Sequence, residues 1–221
     1  DPNEGGFGPA PKFPAASTLK LAIAIELMRS LHGMPAPGSR LGGLLWQMLV
    51  YSDDRSANEL LTAIGGSISG GSARVNTMMR ALNLADSEMY GGYIVENSLE
   101  RRPIPLEILG RPYFIGKYTT AWDLARLERA LHLAAGARGA LVWRFPGVVD
   151  VHVVAAHVIA ADVMLHKAGW ITKARHDSGL VYSPRGAFVV VVLTWNGGGV
   201  GSASDVLATR VARAAIDRLL R

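Results

Sequence analysis

Residues 13–31 read FPAASTLKLAIAIELMRSL, and this stretch indicates how the rest of the chain is arranged. From Ser17 onward it is apolar on most of its faces, which predicts a helix over about 17–32 that is covered on nearly all sides. Pro14 just before it and Gly33 just after it are typical start and stop signals of a helix. Such a helix belongs in the middle of a domain.

Downstream of this helix the chain is at first rich in helices. Helical patterns recur in four places, separated by polar or Gly-rich links: 41–49, from Ser56 onward, 73–82 and from Thr120 onward. Between the last two lies an irregular tract, 86–117, which contains three prolines. A long tract without periodicity inside a compact domain is often functional.

The last third of the chain changes to strands. Short β-rich runs occur in three places: 163–171, 179–182 and 188–195. They predict an antiparallel meander, which a helix over about 204–220 follows. Helices, then sheet, then a helix predict an α+β fold. We predict one domain over 1–221, in which a sheet part at about 161–221 packs with helix 17–32 and a helical part occupies about 33–160.

Composition excludes several classes of protein. The chain has 221 residues, of which 49% are hydrophobic and 19% charged, as in folded globular domains. Its net charge of +5 comes from scattered basic residues, so we predict no nucleic-acid partner. No apolar run approaches the roughly 20 residues of a membrane-spanning helix, so we predict no membrane span. Cysteine is absent and the histidines match no known zinc pattern, so we predict neither a metal nor a cofactor.

Ser17 and Lys20 carry groups that are suited to nucleophilic catalysis. On a helix, a spacing of three positions brings both side chains to one face. A lysine buried at the start of an apolar helix loses its proton more readily, so Lys20 could accept the proton of the Ser17 hydroxyl. Backbone N–H groups near a helix N-terminus would point toward a developing oxyanion. Taken alone, the pair is also compatible with a serine that caps the helix and a solvated lysine.

Two further motifs follow STLK at 17–20 in order: SDD at 52–54, in a loop between helices, and KAG at 167–169, on a strand. Together they resemble the three motifs of the penicillin-recognising serine enzymes, the serine β-lactamases and D-alanyl-D-alanine peptidases. The blocks FPAASTLKL, YSDDRSANELL, GKYTTAWDLARL and HKAGWITKARHDSGLVYSP are similar to those of the class A branch. The resemblance implies a β-lactamase-like fold, with an antiparallel sheet flanked by helices and an all-helical subdomain.

The resemblance also implies catalytic roles. Ser17 would be the acylated nucleophile, Lys20 its proton acceptor or relay, and Ser52 the group that passes a proton to the leaving nitrogen. The alternative for the second motif is structural, with Ser52 and Asp53 capping the helix that begins near Ser56.

The predicted substrate-binding residues are Asp54, Lys167, Ala168, Gly169 and Trp170. Lys167 would bind the substrate carboxylate, unless it is an ordinary strand lysine, and the N–H groups of Trp170 and of the nucleophile would form the oxyanion hole. Asp54 departs from the family pattern, since it replaces an asparagine amide with an acceptor-only carboxylate. Ala168 replaces a threonine or serine hydroxyl that helps to hold the carboxylate. Each lost hydrogen bond can weaken its contact by about 1–3 kcal/mol.

A third departure lies in the irregular tract. The Glu-x-x-Leu-Asn block, whose glutamate activates the deacylating water in class A enzymes, is absent from 86–117. The four glutamates there are more typical of solvated loop surface: Glu88, Glu96, Glu100 and Glu107. Fast β-lactam hydrolysis is therefore not expected.

Two functions remain open. The first is a serine hydrolase or acyl-transferase, of β-lactamase or penicillin-binding type, that acts on D-alanyl peptides, β-lactams or related amides and esters through an acyl-enzyme on Ser17. The second is a catalytically impaired, β-lactamase-like binding protein of the envelope. Either would take a small molecule or a peptidoglycan peptide as ligand. The resemblance implies an extracytoplasmic location, in the periplasm or cell wall or as a secreted protein or lipoprotein.

The front of the chain carries one further expectation. Members of the family place a helix and two strands before the serine motif, whereas 16 residues precede Ser17. Without those strands, FVVVVLTW at 188–195 would be an exposed apolar edge, which is an aggregation hazard. We therefore expect a missing N-terminal segment or a partner strand beside this strand, or else that residues 1–14 fold back over the sheet.

Overall fold

The computed structural model of the chain describes residues 10–93, 103–106, 111–135, 164–183 and 186–219, together with Gly6 and Gly8. None of the described helices is long and apolar enough to cross a membrane. In chain order the elements are β1 (Phe13–Pro14), α1 (Lys20–Ser30), α2 (Arg40–Val50), α3 (Asp54–Gly65), α4 (Ile68–Ala81), β2 (Pro103–Leu106), β3 (Arg111–Ile115), β4 (Tyr118–Thr119), α5 (Ala121–Ala135), β5 (Met164–Ile171), β6 (Ala174–Ser183), β7 (Gly186–Trp195) and α6 (Ser202–Leu219). The predicted α+β class is confirmed.

Helix α1 lies at the centre of the described core. Its residues Leu21, Ala22, Ile23, Ala24 and Leu27 are each at most 2% exposed. They belong to one hydrophobic cluster with residues of α2, α3, α4 and α5, which contact α1. An apolar helix without a polar face is stable only when neighbours cover it in this way.

The start of α1 differs from the prediction of a helix over 17–32. Ser17 lies in a turn before the helix, in which the Lys20 N–H donates to the Ser17 carbonyl (3.2 Å) and the Leu21 N–H to the Thr18 carbonyl (3.2 Å). Bonds that span three residues are those of a 3₁₀ turn, in which side chains at i and i+3 eclipse one another. The turn therefore stacks the side chains of Ser17 and Lys20 directly.

The helix predicted at 73–82 begins earlier, at Ile68. Ser67 caps it by accepting a hydrogen bond from the Gly70 N–H (3.0 Å). A Cβ at Gly71 would lie 2.1 Å from the Leu61 carbonyl oxygen. The glycines that we expected to form a link between helices therefore allow the backbones of α3 and α4 to pack in contact. Close packing, and not chain flexibility, explains these glycines.

The irregular tract at 86–117 contains more structure than predicted. Strands β2 and β3 pair as an antiparallel hairpin, and residues 94–102 and 107–110 lie outside the described residues. Three of the four candidate glutamates of this tract, Glu96, Glu100 and Glu107, are therefore not described. Residues 136–163, which include the predicted boundary between the two parts, are not described either.

Strands β5, β6 and β7 form the predicted antiparallel meander, in that order. Strand β6 begins at Ala174, five residues before the predicted start, because polar residues at its beginning are buried and paired. His176 and Ser178 are 1% and 0% exposed, and Lys167 of β5 lies opposite Ser178. Hydropathy alone cannot identify a strand whose buried side chains are polar.

Strand β7 is covered on both faces. Val190 and Val192 are buried, and the alternate residues Val191 and Leu193 pack against the helical core. Helices α5 and α6 both contact this strand. Among the described residues β7 pairs with β6 alone, and β1 pairs with β4 instead of extending this sheet. The expected strand beside residues 188–195 stays a prediction.

Candidate active site

The three sequence motifs meet around one buried cluster of polar groups. The Lys20 Nζ lies 3.1 Å from the Ser17 Oγ and 3.3 Å from the Ser52 Oγ. From the other side, the Lys167 Nζ donates to the Ser52 Oγ at 2.9 Å. The structure therefore brings together the predicted nucleophile, both lysines and the second-motif serine, although 115 residues separate Ser52 from Lys167.

Lys20 is the centre of this cluster. Its side chain is fully buried, and besides the two serine hydroxyls its ammonium group contacts the Ser52 carbonyl oxygen and, at 2.6 Å, the Asp54 Oδ1. Burial lowers the pKa of Lys20, and the hydrogen bond and charge of Asp54 oppose this effect. A lysine so placed is positioned to exchange a proton with Ser17.

Two strained residues shape the site. Ala16, which precedes the nucleophile, has φ 47°, and Ser52 has φ 56°. Residues other than glycine rarely adopt this left-handed region, which costs of the order of 1–3 kcal/mol each. At Ser52 the conformation brings both the carbonyl and the hydroxyl within reach of Lys20. Strain held by packing in this way is typical of functional sites.

Lys167 lies on β5 and is 5% exposed. Its ammonium group donates to Ser52 Oγ and to the Ala168 carbonyl oxygen, each at 2.9 Å. Burial lowers its pKa to about 7, with a further contribution from the charge of Lys20. An ionised ligand carboxylate nearby would stabilise its charged form.

The strand of the third motif touches the nucleophile turn at Gly169. A Cβ at this position would lie 3.1 Å from the Ser17 amide nitrogen and 2.8 Å from the Thr18 Cγ2. The next residue, Trp170, is 42% exposed, and the guanidinium of Arg175 lies 4.7 Å from the centre of its ring. The backbone at Gly169 therefore borders the nucleophile turn, and the oxyanion hole formed with the Trp170 N–H stays a prediction.

Asp54 and Ala168, the two positions that depart from the family pattern, lie in different surroundings. Asp54 is the first residue of α3, and its side chain is 46% exposed although one carboxylate oxygen contacts buried Lys20. Ala168 offers only its carbonyl to Lys167, since it has no hydroxyl. Asp53 caps α3 by accepting a bond from the Ser56 N–H (2.6 Å), so the structural alternative holds for Asp53. Ser52 does not share that role, since its hydroxyl contacts the two lysines.

Lys117 belongs to the same neighbourhood and was not predicted as a site residue. Its ammonium donates to the Gly92 carbonyl (2.9 Å) and lies 4.2 Å from the centre of the Tyr93 ring, which Lys20 approaches to 4.5 Å. Burial lowers the pKa of Lys117 to about 8. Its backbone carbonyl accepts from the Ala15 N–H at 2.9 Å, two residues before the nucleophile.

Tyr93 forms a wall of the site and was also missed. Its N–H donates to Asn58 Oδ1 (2.8 Å) on α3, which fixes its backbone. Its hydroxyl is buried and has no hydrogen-bond partner among the described residues. Burial raises its pKa well above the usual value, and the charge of Asp54 adds to this effect. The GKYTTAWDLARL block contains Lys117, but no local pattern in the sequence indicates that residues 93 and 117 meet Lys20.

A second buried network supports β5 and β6. Ser178 donates to Glu128 of α5 at 3.0 Å, and His166 contacts Asp177 at 2.9 Å. Burial raises the pKa of Glu128 to about 7. His166 precedes Lys167, so this network supports the strand that carries the third motif. Among the described residues no group of three or more His, Asp or Glu side chains is placed to hold a metal ion.

Comparison with known proteins identifies the family of the chain. A model of the Beta-lactamase enzyme family matches residues 32–219, and the chain therefore belongs to that family. The matched residues include Ser52 and Lys167 and begin after Lys20. Comparison with curated proteins gave no match.

Solved structures show the same fold over nearly the whole chain. A class A β-lactamase from Mycobacterium abscessus is 18% identical, with a TM-score of 0.78 over 98% of this chain and 89% of that one. A β-lactamase from Sphaerobacter thermophilus is 20% identical, with a TM-score of 0.69 over 95% and 84%. PBP-A is 18% identical, with a TM-score of 0.69 over 96% and 84%. The resemblance to the penicillin-recognising serine enzymes is thus confirmed, and the family is one of serine hydrolases of the β-lactamase type.

Proposed function

We propose that this chain is a serine hydrolase or acyl-transferase that forms an acyl-enzyme on Ser17. The observation that carries the proposal is the contact of the Lys20 Nζ, fully buried, with the Ser17 Oγ at 3.1 Å. A nucleophile within hydrogen-bond distance of a base is the arrangement that covalent catalysis requires. D-Alanyl peptides, β-lactams and related amides and esters are the proposed substrates.

The contacts support a complete route for one proton. Neutral Lys20 takes the proton of the Ser17 hydroxyl while the oxygen attacks the substrate carbonyl carbon. The N–H groups of Ser17 and Trp170 stabilise the oxyanion. As the intermediate collapses, the bond to the leaving nitrogen breaks, Ser52 gives its proton to that nitrogen, and Lys20 returns the proton to Ser52 across 3.3 Å. Lys167 binds the substrate carboxylate.

Slow deacylation is the second part of the proposal. The class A glutamate block is absent from 86–117. The acyl-enzyme therefore persists, as in a penicillin-binding protein or a peptidase, and water or another acceptor removes the acyl group slowly. We further propose that residues 1–221 act as one domain outside the cytoplasm, on a small molecule or peptidoglycan peptide, and that a partner strand covers residues 188–195.

The second candidate function is a catalytically impaired binding protein. The contact of Asp54 with Lys20 favours it, because a carboxylate 2.6 Å away stabilises the protonated lysine, which is not a base. Ala168 favours it as well, because the carboxylate subsite has one hydroxyl fewer than the family pattern. This candidate binds ligand without forming a covalent bond.

Labelling with a fluorescent penicillin separates the two candidates. We expect covalent labelling of the parent protein and none of Ser17→Ala or Lys20→Ala, because residues that act as a unit fail together. Lys12→Ala is the matched control, since Lys12 lies outside the cluster and pairs with Asp86. Absence of labelling at millimolar penicillin, with binding retained, would favour the impaired binding protein.

A further inference from the structure

Asp54 is the charged group of the motif cluster that a ligand can reach most easily. Its side chain is 46% exposed, whereas Lys20 is fully buried and Lys167 is 5% exposed. Its Oδ1 is engaged by the Lys20 ammonium at 2.6 Å. A carboxylate has a second oxygen with lone pairs of its own, so Asp54 retains acceptor capacity beyond that contact.

The chemistry of that group restricts what a ligand can place beside it. An ionised carboxylate accepts hydrogen bonds and donates none. A ligand carbonyl at this position would meet a second acceptor and a like partial charge. A ligand ammonium would instead form a charge-assisted hydrogen bond, which is roughly twice as strong as a neutral one. Asp54 therefore discriminates against acceptors and in favour of cationic donors.

The two ends of the cluster carry opposite preferences. Lys167 presents an ammonium group beside Ser52, where a ligand carboxylate is favoured. Asp54, on the first turn of α3, presents a carboxylate beside Lys20. A ligand that satisfies both carries a positive group at one end and a negative group at the other, and its reacting carbonyl must reach the Ser17 hydroxyl beside Lys20.

We propose, on the basis of the function proposed above, that the substrate is an amino-acyl ester or amide with a free primary amine, which Asp54 binds, and a carboxylate, which Lys167 binds. Substrates whose amine is acylated, as in penicillins, are poorer ligands for this site. In these substrates the nitrogen belongs to a neutral amide, and the carbonyl of that amide faces Asp54.

The proposal also explains how Lys20 becomes a base in spite of Asp54. The charge and hydrogen bond of Asp54 raise the pKa of Lys20. A ligand ammonium that shares the Asp54 carboxylate weakens this contact and adds a like charge nearby. Both effects favour the neutral form of Lys20. Binding of the correct substrate therefore favours proton transfer from Ser17.

A matched pair of thioesters tests the preference during turnover. The probes are D-alanyl thioglycolate and N-acetyl-D-alanyl thioglycolate, which differ only in the acetyl group. Hydrolysis breaks the carbon–sulfur bond, adds water and releases thioglycolate, which a thiol reagent detects. We expect kcat/KM of the parent protein to favour the free amine at least tenfold, and Asp54→Asn to remove or reverse the preference. Glu59→Gln, an equal change of charge on the same helix, keeps the parent preference.

Binding to Ser17→Ala tests the proposal without catalysis. Calorimetry measures the affinity for D-alanyl-glycine and for N-acetyl-D-alanyl-glycine. Both affinities are measured for the Ser17→Ala variant and for the double variant Ser17→Ala, Asp54→Asn. Tighter binding of the free amine that depends on Asp54, without release of even one equivalent of thioglycolate by the parent protein, would support the amine recognition and refute the proposed hydrolase. Turnover without an amine preference, or binding of neither dipeptide, would overturn the inference. Circular dichroism of each variant establishes that the fold is intact.

Discussion

A Cβ on Gly169 would lie 3.1 Å from the amide nitrogen of Ser17, a separation that few real Cβ contacts show. Strand β5 therefore crosses the nucleophile turn with backbone against backbone. The proposed oxyanion hole depends on this contact, because one of its N–H groups belongs to Ser17 and the other to Trp170, the residue after Gly169. The third motif needs a glycine here for steric reasons.

Gly169→Ala is expected to slow acylation by at least tenfold. The added methyl group pushes β5 away from Ser17 and Thr18, and a displaced oxyanion hole loses transition-state stabilisation. Stopped-flow labelling with penicillin measures the rate. Gly43→Ala on α2 is the control, because its Cβ would meet nothing within 4 Å. An unchanged acylation rate in Gly169→Ala would show that β5 does not form part of the hole.

Restoring the family residues is expected to improve acylation by β-lactams. Asp54→Asn returns an amide donor and Ala168→Thr returns a hydroxyl, each worth about 1 kcal/mol or more. The double variant should therefore acylate at least tenfold faster than the parent protein. No gain in a protein that circular dichroism shows to be folded would mean that the site has been rebuilt for another ligand.

Asp54→Asn is also expected to change the pH dependence. Asp54 raises the pKa of Lys20 against the larger effect of burial, so its removal lowers this pKa further. Acylation requires neutral Lys20, so the acidic limb of the pH–rate profile for acylation should move to lower pH. Rates measured from pH 5 to pH 9, with Glu59→Gln as control, test this. An acidic limb of the pH–rate profile that does not move would exclude Lys20 as the base whose titration controls acylation.

His176 gives a prediction about stability. Its Nε2 donates to the Pro14 carbonyl (2.8 Å) and its Nδ1 accepts from the Thr194 N–H (3.2 Å), so the folded state holds the ring neutral. Burial lowers its pKa from 6.5 to about 4. The stabilisation is therefore complete above about pH 6.5 and is lost as pH falls through about 4, with at most about 3 kcal/mol lost from this group.

Urea unfolding between pH 4 and pH 7.5 measures this loss. His176→Gln cannot gain a proton, so its free energy of unfolding should fall less steeply over this window. His32→Gln, at an exposed position, should keep the slope of the parent protein. Equal slopes for the parent and His176→Gln would show that another group is responsible.

Local patterns in the sequence predicted the parts of the fold and site that depend on neighbouring residues. Examples are the apolar run of α1 and the three-residue spacing of Ser17 and Lys20. The polar start of β6 was missed, because His176 and Ser178 are buried by partners distant in the sequence. Tyr93 and Lys117 were missed for the same reason, since only the folded chain brings them to Lys20.

Peptide mapping after reaction with benzylpenicillin tests the central claim most directly. Two hydroxyls of the site lie within 3.5 Å of a lysine, those of Ser17 and Ser52, and mass spectrometry distinguishes them. We predict one added penicillin mass per chain, located on Ser17 and absent from Ser17→Ala and Lys20→Ala. An adduct on Ser52, or none after prolonged exposure at millimolar concentration, would contradict the assignment of Ser17 as the acylated nucleophile.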